Sequence, residues 1–372
     1  MQRPFEMPKK TSDATPSTPP HNMRATLNDV ALQAGVDVST ASRVLSGDNK
    51  QRVGQDTRTR ILEAAKSLDY RPNITARSLR VAKTFSLGIA VPQLDNPVFS
   101  QMIIGAERGA RERGYSLLIA HIEEGSSDDA AYERLASTNR VDGLLITTLD
   151  DNSVVLSAAK KARVPFMLLN RTGAGISNSI YFDSNAAARL AVEHLIGLGH
   201  TRIAHLSGQL NPSTGIGRFA GYRDALADAG IPFDPDLLAV SGYTIKGGAQ
   251  AMRKVLEQAK QRPTAVFPIT LAAAAGAIMA LQQYGIRVPE DLSVVTVHDG
   301  PIAEAMFPPL TTVQMPVEQM GYDGAIGLID LIEGRKTTIN VMMQPQGLII
   351  RASTARVSGA VSSPRLSRSA DS

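Results

Sequence analysis

The chain has 372 residues, 43% hydrophobic and 20% charged, with a formal net charge of +4. That length suffices for two or three domains with buried cores. There is no cysteine, which excludes disulfides, thiolate chemistry and cysteine metal sites, and no run reaches the roughly 20 apolar residues of a membrane span.

Residues 1–23 are rich in Pro, Ser and Thr and lack the apolar run of a secretory signal. They are expected to be disordered, with Met7 or Met23 as alternative starts. The first ordered pattern is TLNDVALQAGVDVSTASRVL, from Thr26. Thr26 can cap a helix, Asp29 favours its positive end, and Val30, Ala31 and Ala34 share one face. Gly35 ends that helix, because glycine takes the left-handed conformation cheaply. Asp37 offers the next cap, and Ala41, Val44 and Leu45 give a second buried face. Two short helices about a glycine turn form a helix-turn-helix, whose second helix enters the DNA major groove N-terminus first. Val38 can touch a thymine methyl, Ser39 can bond to more than one base, and Arg43 can pair with guanine. Thr40 and Ser42 suit phosphates, which set position and not sequence. Charge separates this reading from an ordinary helical pair. Residues 24–83 hold 11 Lys and Arg against 6 Asp and Glu, whereas residues 84–355 hold 22 against 26. A basic block confined to the helix pair is the footprint of phosphate binding.

The loop Ser46–Arg52 follows, with Lys50 and Arg52 as further phosphate ligands. A third helix then presents Ile61, Leu62, Ala65 and Leu68, and Pro72 sets a boundary at Arg71. Asn73 can cap the short amphipathic run that ends at Arg80.

The run TLNDVALQAGVDVSTASRVL, with RPN and ARSL beyond it, resembles the lactose/purine repressor family of bacterial transcription regulators, and the resemblance extends over roughly Arg24 to Ala355. It implies a hinge segment that folds in the operator minor groove. Leu79 is then the apolar wedge at the central base step, flanked by Ala76, Arg77 and Ser78. The loop at 46–52 is about two residues longer than the family's spacing.

From Phe85, short apolar runs alternate with amphipathic helices: SLGIAVPQ, YSLLIAH, DGLLITTL, VPFMLLN, NSIYFD, RIAHLSG, LLAVSGY, TAVFPIT and LSVVTVHD are the expected strands. Such alternation means parallel sheets with right-handed crossovers. VDGLLITT and PTAVFPIT sit at like positions in two halves. Two such halves leave a cleft at the carboxyl ends of their strands. The resemblance implies chain crossings near Tyr181–Ser184, Thr312–Pro316 and Val341–Pro345. The lobes would then be 84–182 with 316–341, and 183–313 with 345–355.

Effector-binding candidates lie just beyond strand ends: Asp95, Asn96, Phe99, Asn170, Arg171, Thr214, Arg218, Tyr243, Thr270 and Asp299. Their charged and amide groups suit hydroxyls or carboxylates. By resemblance Arg218 and Asp299 lead, whereas His298 reads as an ordinary loop residue. Pro212 stands where purine-type repressors carry arginine, and Leu271 where sugar-binding relatives carry aspartate. A sugar or sugar acid is the favoured effector.

Two rivals are weaker. Gly215-Ile-Gly217-Arg-Phe-Ala220 formally matches a dinucleotide fingerprint, but it lacks the tight strand-to-helix turn. No HExxH or GxSxG motif is present, so no enzyme, metal or cofactor is expected. A two-lobed transport-type binding protein would need a signal peptide and no DNA head.

The expected architecture is a small all-α helix-turn-helix head (24–71) with a hinge helix (72–83). An α/β two-lobed, periplasmic-binding-protein-like domain of doubly wound parallel sheets (84–355) follows, then a disordered tail (356–372). The expected protein is a cytoplasmic homodimer that binds a palindromic operator and a small-molecule effector and has no membrane partner.

Overall fold

The computed structural model describes residues 25–45, 53–70, 83–94, 96–121, 140–147, 154–173, 175–208 and 213–357. The chain divides into two compact units, Met1–Ala82 and Lys83–Ser372, termed the head and the body.

In the head, α1 (Leu27–Ala34), α2 (Val38–Leu45) and α3 (Gln55–Ser67) enclose a core of Val30, Ala31, Ala34, Ala41, Val44, Ile61, Ala64 and Ala65. Alanines at 31, 34 and 41 let α1 and α2 cross closely. Gly35 closes α1 with φ 63°, and the Val36 N–H returns to the Ala31 carbonyl at 3.0 Å, satisfying a carbonyl the helix end leaves open. One expected core position is corrected. Leu62 is 49% exposed and Ala64 takes its place. The buried face of α3 follows steps of three and four from Ile61, and Leu62 lies about 100° round the helix from it.

The body has two six-stranded sheets. The first contains β1 (Ser86–Val91), β2 (Ser116–His121), β3 (Gly143–Ile146), β4 (Phe166–Leu169), β5 (Ser179–Phe182) and β11 (Asn340–Met343), in the order β11-β5-β4-β3-β1-β2. The second contains β6 (Ile203–Ser207), β7 (Leu238–Val240), β8 (Ala265–Pro268), β9 (Ser293–Val297), β10 (Thr311–Gln314) and β12 (Gly347–Ile349), in the order β12-β10-β9-β8-β6-β7. The helices between them are α4 (Pro97–Glu112), α5 (Val154–Ala162), α6 (Ser184–Gly197), α7 (Ser213–Asp228), α8 (Ile245–Gln258), α9 (Leu271–Gln283), α10 (Pro301–Ala305) and α11 (Val317–Ile332). The two orders are the same topology twice. The segments that hinted at a repeat, β3 and β8, hold the same place in each sheet.

The chain passes between the sheets after β5, after β10 and after β11. These passages are more regular than the sequence suggested. β10 and β11 are ladder strands that overlap segments read as connections, β12 is a strand in a stretch assigned to the second lobe without one, and β11 runs to Met343. One pair departs from the parallel pattern: β12 runs antiparallel to β10. After β5, α6 carries the chain away from the cleft before β6 begins. No helix separates β11 from β12, so β12 runs directly away from the cleft, against β10.

Helix packing in the body relies on small residues. A Cβ on Gly105 of α4 would stand 1.8 Å from the Glu318 carbonyl oxygen of α11, and one on Gly321 would stand 2.0 Å from that of Met102. Only glycine permits this reciprocal backbone approach.

Candidate DNA-reading face and effector cavity

In the head, Thr26 caps α1 reciprocally. Its hydroxyl accepts from the Asp29 N–H, while its own N–H donates to Asp29 Oδ2 at 2.8 Å. Asp37 does more at the start of α2. It accepts from the Thr40 N–H at 3.0 Å, the Thr40 hydroxyl at 2.6 Å and the Ser39 hydroxyl at 2.5 Å. The Ser39 hydroxyl first, then that of Thr40, hold the Asp37 carboxyl well below the usual carboxylate range. Arg43, one turn on, donates to Ser39 Oγ at 2.9 Å. The sequence-nominated readers therefore form one chain, Arg43 to Ser39 to Asp37, along the exposed start of α2. Val38 beside them is 42% exposed, an apolar group offered to solvent. Sequence reasoning assigned Asp37 a cap alone, and its grip on two hydroxyls depends on rotamers that no motif prints. Asn73, Ala76, Arg77, Leu79 and the loop 46–52 lie outside the described residues.

In the body, side chains from several strand ends converge on one cavity enclosing about 430 Å3 of non-atom space, part of it open to solvent. Asn96 and Phe99 come from the start of α4 and Asn170 and Arg171 from the end of β4. Thr214 and Arg218 lie on α7, Tyr243 follows β7, Thr270 follows β8 and His298 follows β9. Thr270 also caps α9, accepting from the Ala273 N–H at 3.3 Å. Eight of the nominated effector residues thus meet: Asn96, Phe99, Asn170, Arg171, Thr214, Arg218, Tyr243 and Thr270. Asp95 and Pro212 lie outside the described residues.

Asp299 lies elsewhere, beside a smaller adjoining cavity that it shares with His298 and Thr270. Its Oδ1 accepts from Arg351 at 2.6 Å and from the Thr312 hydroxyl at 2.6 Å, and its Oδ2 from Arg351 at 3.2 Å. Burial pushes the Asp299 carboxyl up, but Arg351 and Thr312 hold it below its ordinary value. Arg351 stands 52 residues away, so the motif around Asp299 gave no sign of it. Pro92, Gln93 and His298 also line the larger cavity and were not nominated.

Arg218 is 1% exposed. Its Nη1 donates to the Ile269 carbonyl and its Nη2 meets His298 Nε2 at 2.9 Å. Burial, opposed by Tyr243 and reinforced by Arg171, pulls the guanidinium down to about 10, still charged at neutral pH. Burial, then Arg218, drives the His298 imidazole well below its ordinary value. Arg171 donates to Thr214 Oγ1 and, at 3.4 Å, to the Asn170 carbonyl. Asn170 and His298 take φ of 59° and 77°, left-handed values that are uncommon outside glycine and concentrate at functional sites.

The glycines of the apparent dinucleotide fingerprint are interior to α7, and a Cβ on Gly217 would stand 2.9 Å from Ser184 Cβ. The smallness of Gly217 serves packing against α6. Among the described residues no cluster of His, Cys, Asp or Glu could hold a metal, and no helix is long and apolar enough to cross a membrane.

The family described as "Bacterial regulatory proteins, lacI family" matches residues 26–73, and "Periplasmic binding proteins and sugar binding domain of LacI family" matches residues 84–352. The chain belongs to the LacI family. It is 33% identical over 335 residues to the HTH-type transcriptional repressor PurR of Erwinia tasmaniensis, covering 89% of this chain and 97% of that one. The lac repressor dimer bound to operator and the anti-inducer ONPF superposes with a TM-score of 0.77 at 29% identity, covering 90% of this chain and all of that one. The transcriptional regulator CelR in complex with cellobiose gives 0.67 at 31% identity, covering 89% and 100%. This LacI-family chain is a DNA-binding transcription repressor with an effector-binding domain, not an enzyme.

Proposed function

We propose that this regulator represses an operon for using a carbohydrate or small metabolite, and that a sugar or sugar acid in the body's cavity sets its operator affinity. The observation that carries the reading is the convergence of Asn170, Arg171, Thr214, Arg218 and Tyr243 on one cavity, in a chain whose head presents Ser39, Thr40 and Arg43 on an exposed helix start. Bound cellobiose in the related CelR supports a carbohydrate. The regulator acts in the cytoplasm as a homodimer, and its two heads read a palindrome. Residues 24–71 are the DNA-binding unit, 72–83 the hinge helix and 84–355 the effector domain. Thr26, Val38, Ser39, Thr40, Ser42 and Arg43 meet the major groove and its phosphates. Asn73, Ala76, Arg77 and Leu79 serve the minor groove, with Leu79 as the wedge. Ligand binding changes operator affinity through a coupling of typically about 1–3 kcal/mol.

The test is operator selection with purified full-length protein, followed by gel shift at fixed salt with and without a panel of sugars and sugar acids. The expected result is a palindromic site whose affinity moves about 5- to 150-fold with one ligand. A selected site without two-fold symmetry, or one indifferent to every panel member, contradicts the reading.

A further inference from the structure

Resting on that assignment of the cavity, we infer that the effector carries an oxyanion, seated on Arg218, His298 Nδ1 and the first turn of α7, with Arg171 beside it. A guanidinium only donates, so the 2.9 Å contact from Arg218 makes His298 Nε2 the acceptor. The neutral imidazole then carries its proton on Nδ1, which becomes a donor.

Four buried polar atoms around the cavity have no hydrogen-bond partner: Arg218 Nε, His298 Nδ1, Tyr243 Oη and Asn170 Oδ1. Two are donors by necessity, the tyrosine hydroxyl can donate, and only the asparagine oxygen must accept. A neutral polyol offers hydroxyls that both donate and accept, and it is best met by a balance of donors and acceptors. This set is biased toward donors.

Charge points the same way. Among the described residues the Arg218 guanidinium bonds the Ile269 carbonyl and His298, both neutral, although Arg218 is almost wholly buried. A buried cation without a countercharge is costly, and an arriving anion relieves that cost. Among the described residues that line this cavity there is no carboxylate, and Asp299 next door has both oxygens occupied by Arg351 and Thr312. The sixteen-residue α7 adds the positive end of its dipole near Thr214. Arginine binds carboxylate and phosphate alike through paired N–H donors, so a sugar acid and a sugar phosphate share the recognised chemistry.

The experiment is calorimetric titration of the full chain with D-gluconate, D-glucuronate, D-glucose 6-phosphate and D-glucose. At least one of the three anions is expected to bind at least tenfold more tightly than glucose. Preference for gluconate or glucuronate identifies a carboxylate, and preference for glucose 6-phosphate a phosphate ester. Arg171→Gln and, independently, Thr214→Val are each expected to weaken the preferred anion at least fivefold, with far-UV circular dichroism confirming the fold. Glucose binding as tightly as the best anion, or no binding by any of the three anions, overturns the oxyanion while leaving the cavity assignment standing. An anion whose affinity neither variant changes overturns the cavity assignment itself.

Discussion

In the head, Ser39, Thr40 and Arg43 lie along a helix start at the surface and are held in a chain that ends on Asp37. In the body, Arg218 and His298 are almost wholly removed from solvent, and each keeps a polar atom without a partner. On the proposed reading, the head holds its recognition groups by local bonds in water, where exchanging Asp37 for a phosphate or base costs little. On the same reading, the body holds its own by desolvation, and an arriving ligand would satisfy the buried groups. Substitutions in the head should therefore change DNA reading and leave stability nearly intact, whereas those in the body should change both.

The largest effect is expected at Asp299. Asp299→Ala leaves the largely buried Arg351 with only the exposed Glu304 carboxylate, at 3.3 Å, and should destabilise the body by roughly 3 kcal/mol. Urea unfolding checks this, and an unchanged midpoint would remove the structural role given to the pair. Arg43→Ala comes next and tests the opposite behaviour. Operator discrimination should fall by about 1–3 kcal/mol with little change in melting temperature, as read by binding selection beside calorimetry. A variant that melts early with its preference intact would erase the contrast.

The comparison also has a pH form. The chain's six histidines all lie outside residues 24–83. Burial pulls the His205 imidazole down to about 4, and that of His298 well below its ordinary value. An unfolded histidine takes up its proton near pH 6.5, while the folded body resists. The contribution is therefore fully present above about 6.5 and is lost as pH falls toward 4. Hydrogen exchange at pH 7 and 5.5, corrected for intrinsic rates, should show body protection falling while head protection holds. His205→Gln should flatten the body's response, and equal loss in both units would contradict it. The smallest effect is expected from Thr26→Ala, which removes one reciprocal cap and should cost the head about 1 kcal/mol, read as faster exchange confined to α1.

How much of this was legible in the sequence depended on the range of each interaction. The first helix of the head was legible because each of its ends is set locally: Thr26 by Asp29 three residues on, and Gly35 by the carbonyls of Ala31 and Leu32 one turn back. The repeat of β3 and β8 was visible because each is a short apolar run on its own. β10 and β11 were read as connections and β12 was not read as a strand, since TTVQ, NVMM and GLI are not flanked by long apolar runs and owe their pairing to partners far along the chain. The same distance hid the cavity's polarity. Asp299 read as a ligand with no sign of its bonds to Arg351, 52 residues on, and His298 looked ordinary because its tautomer is dictated by Arg218, 80 residues earlier.

The central claim is that the cavity and the operator-reading face are thermodynamically coupled. Linkage requires that coupling to be reciprocal. The most direct measurement is the affinity of the full chain for its preferred ligand, titrated once free and once saturated with its selected operator. The account predicts that the two affinities differ by the same factor by which the ligand shifts operator binding. Identical ligand affinities with and without operator would contradict it.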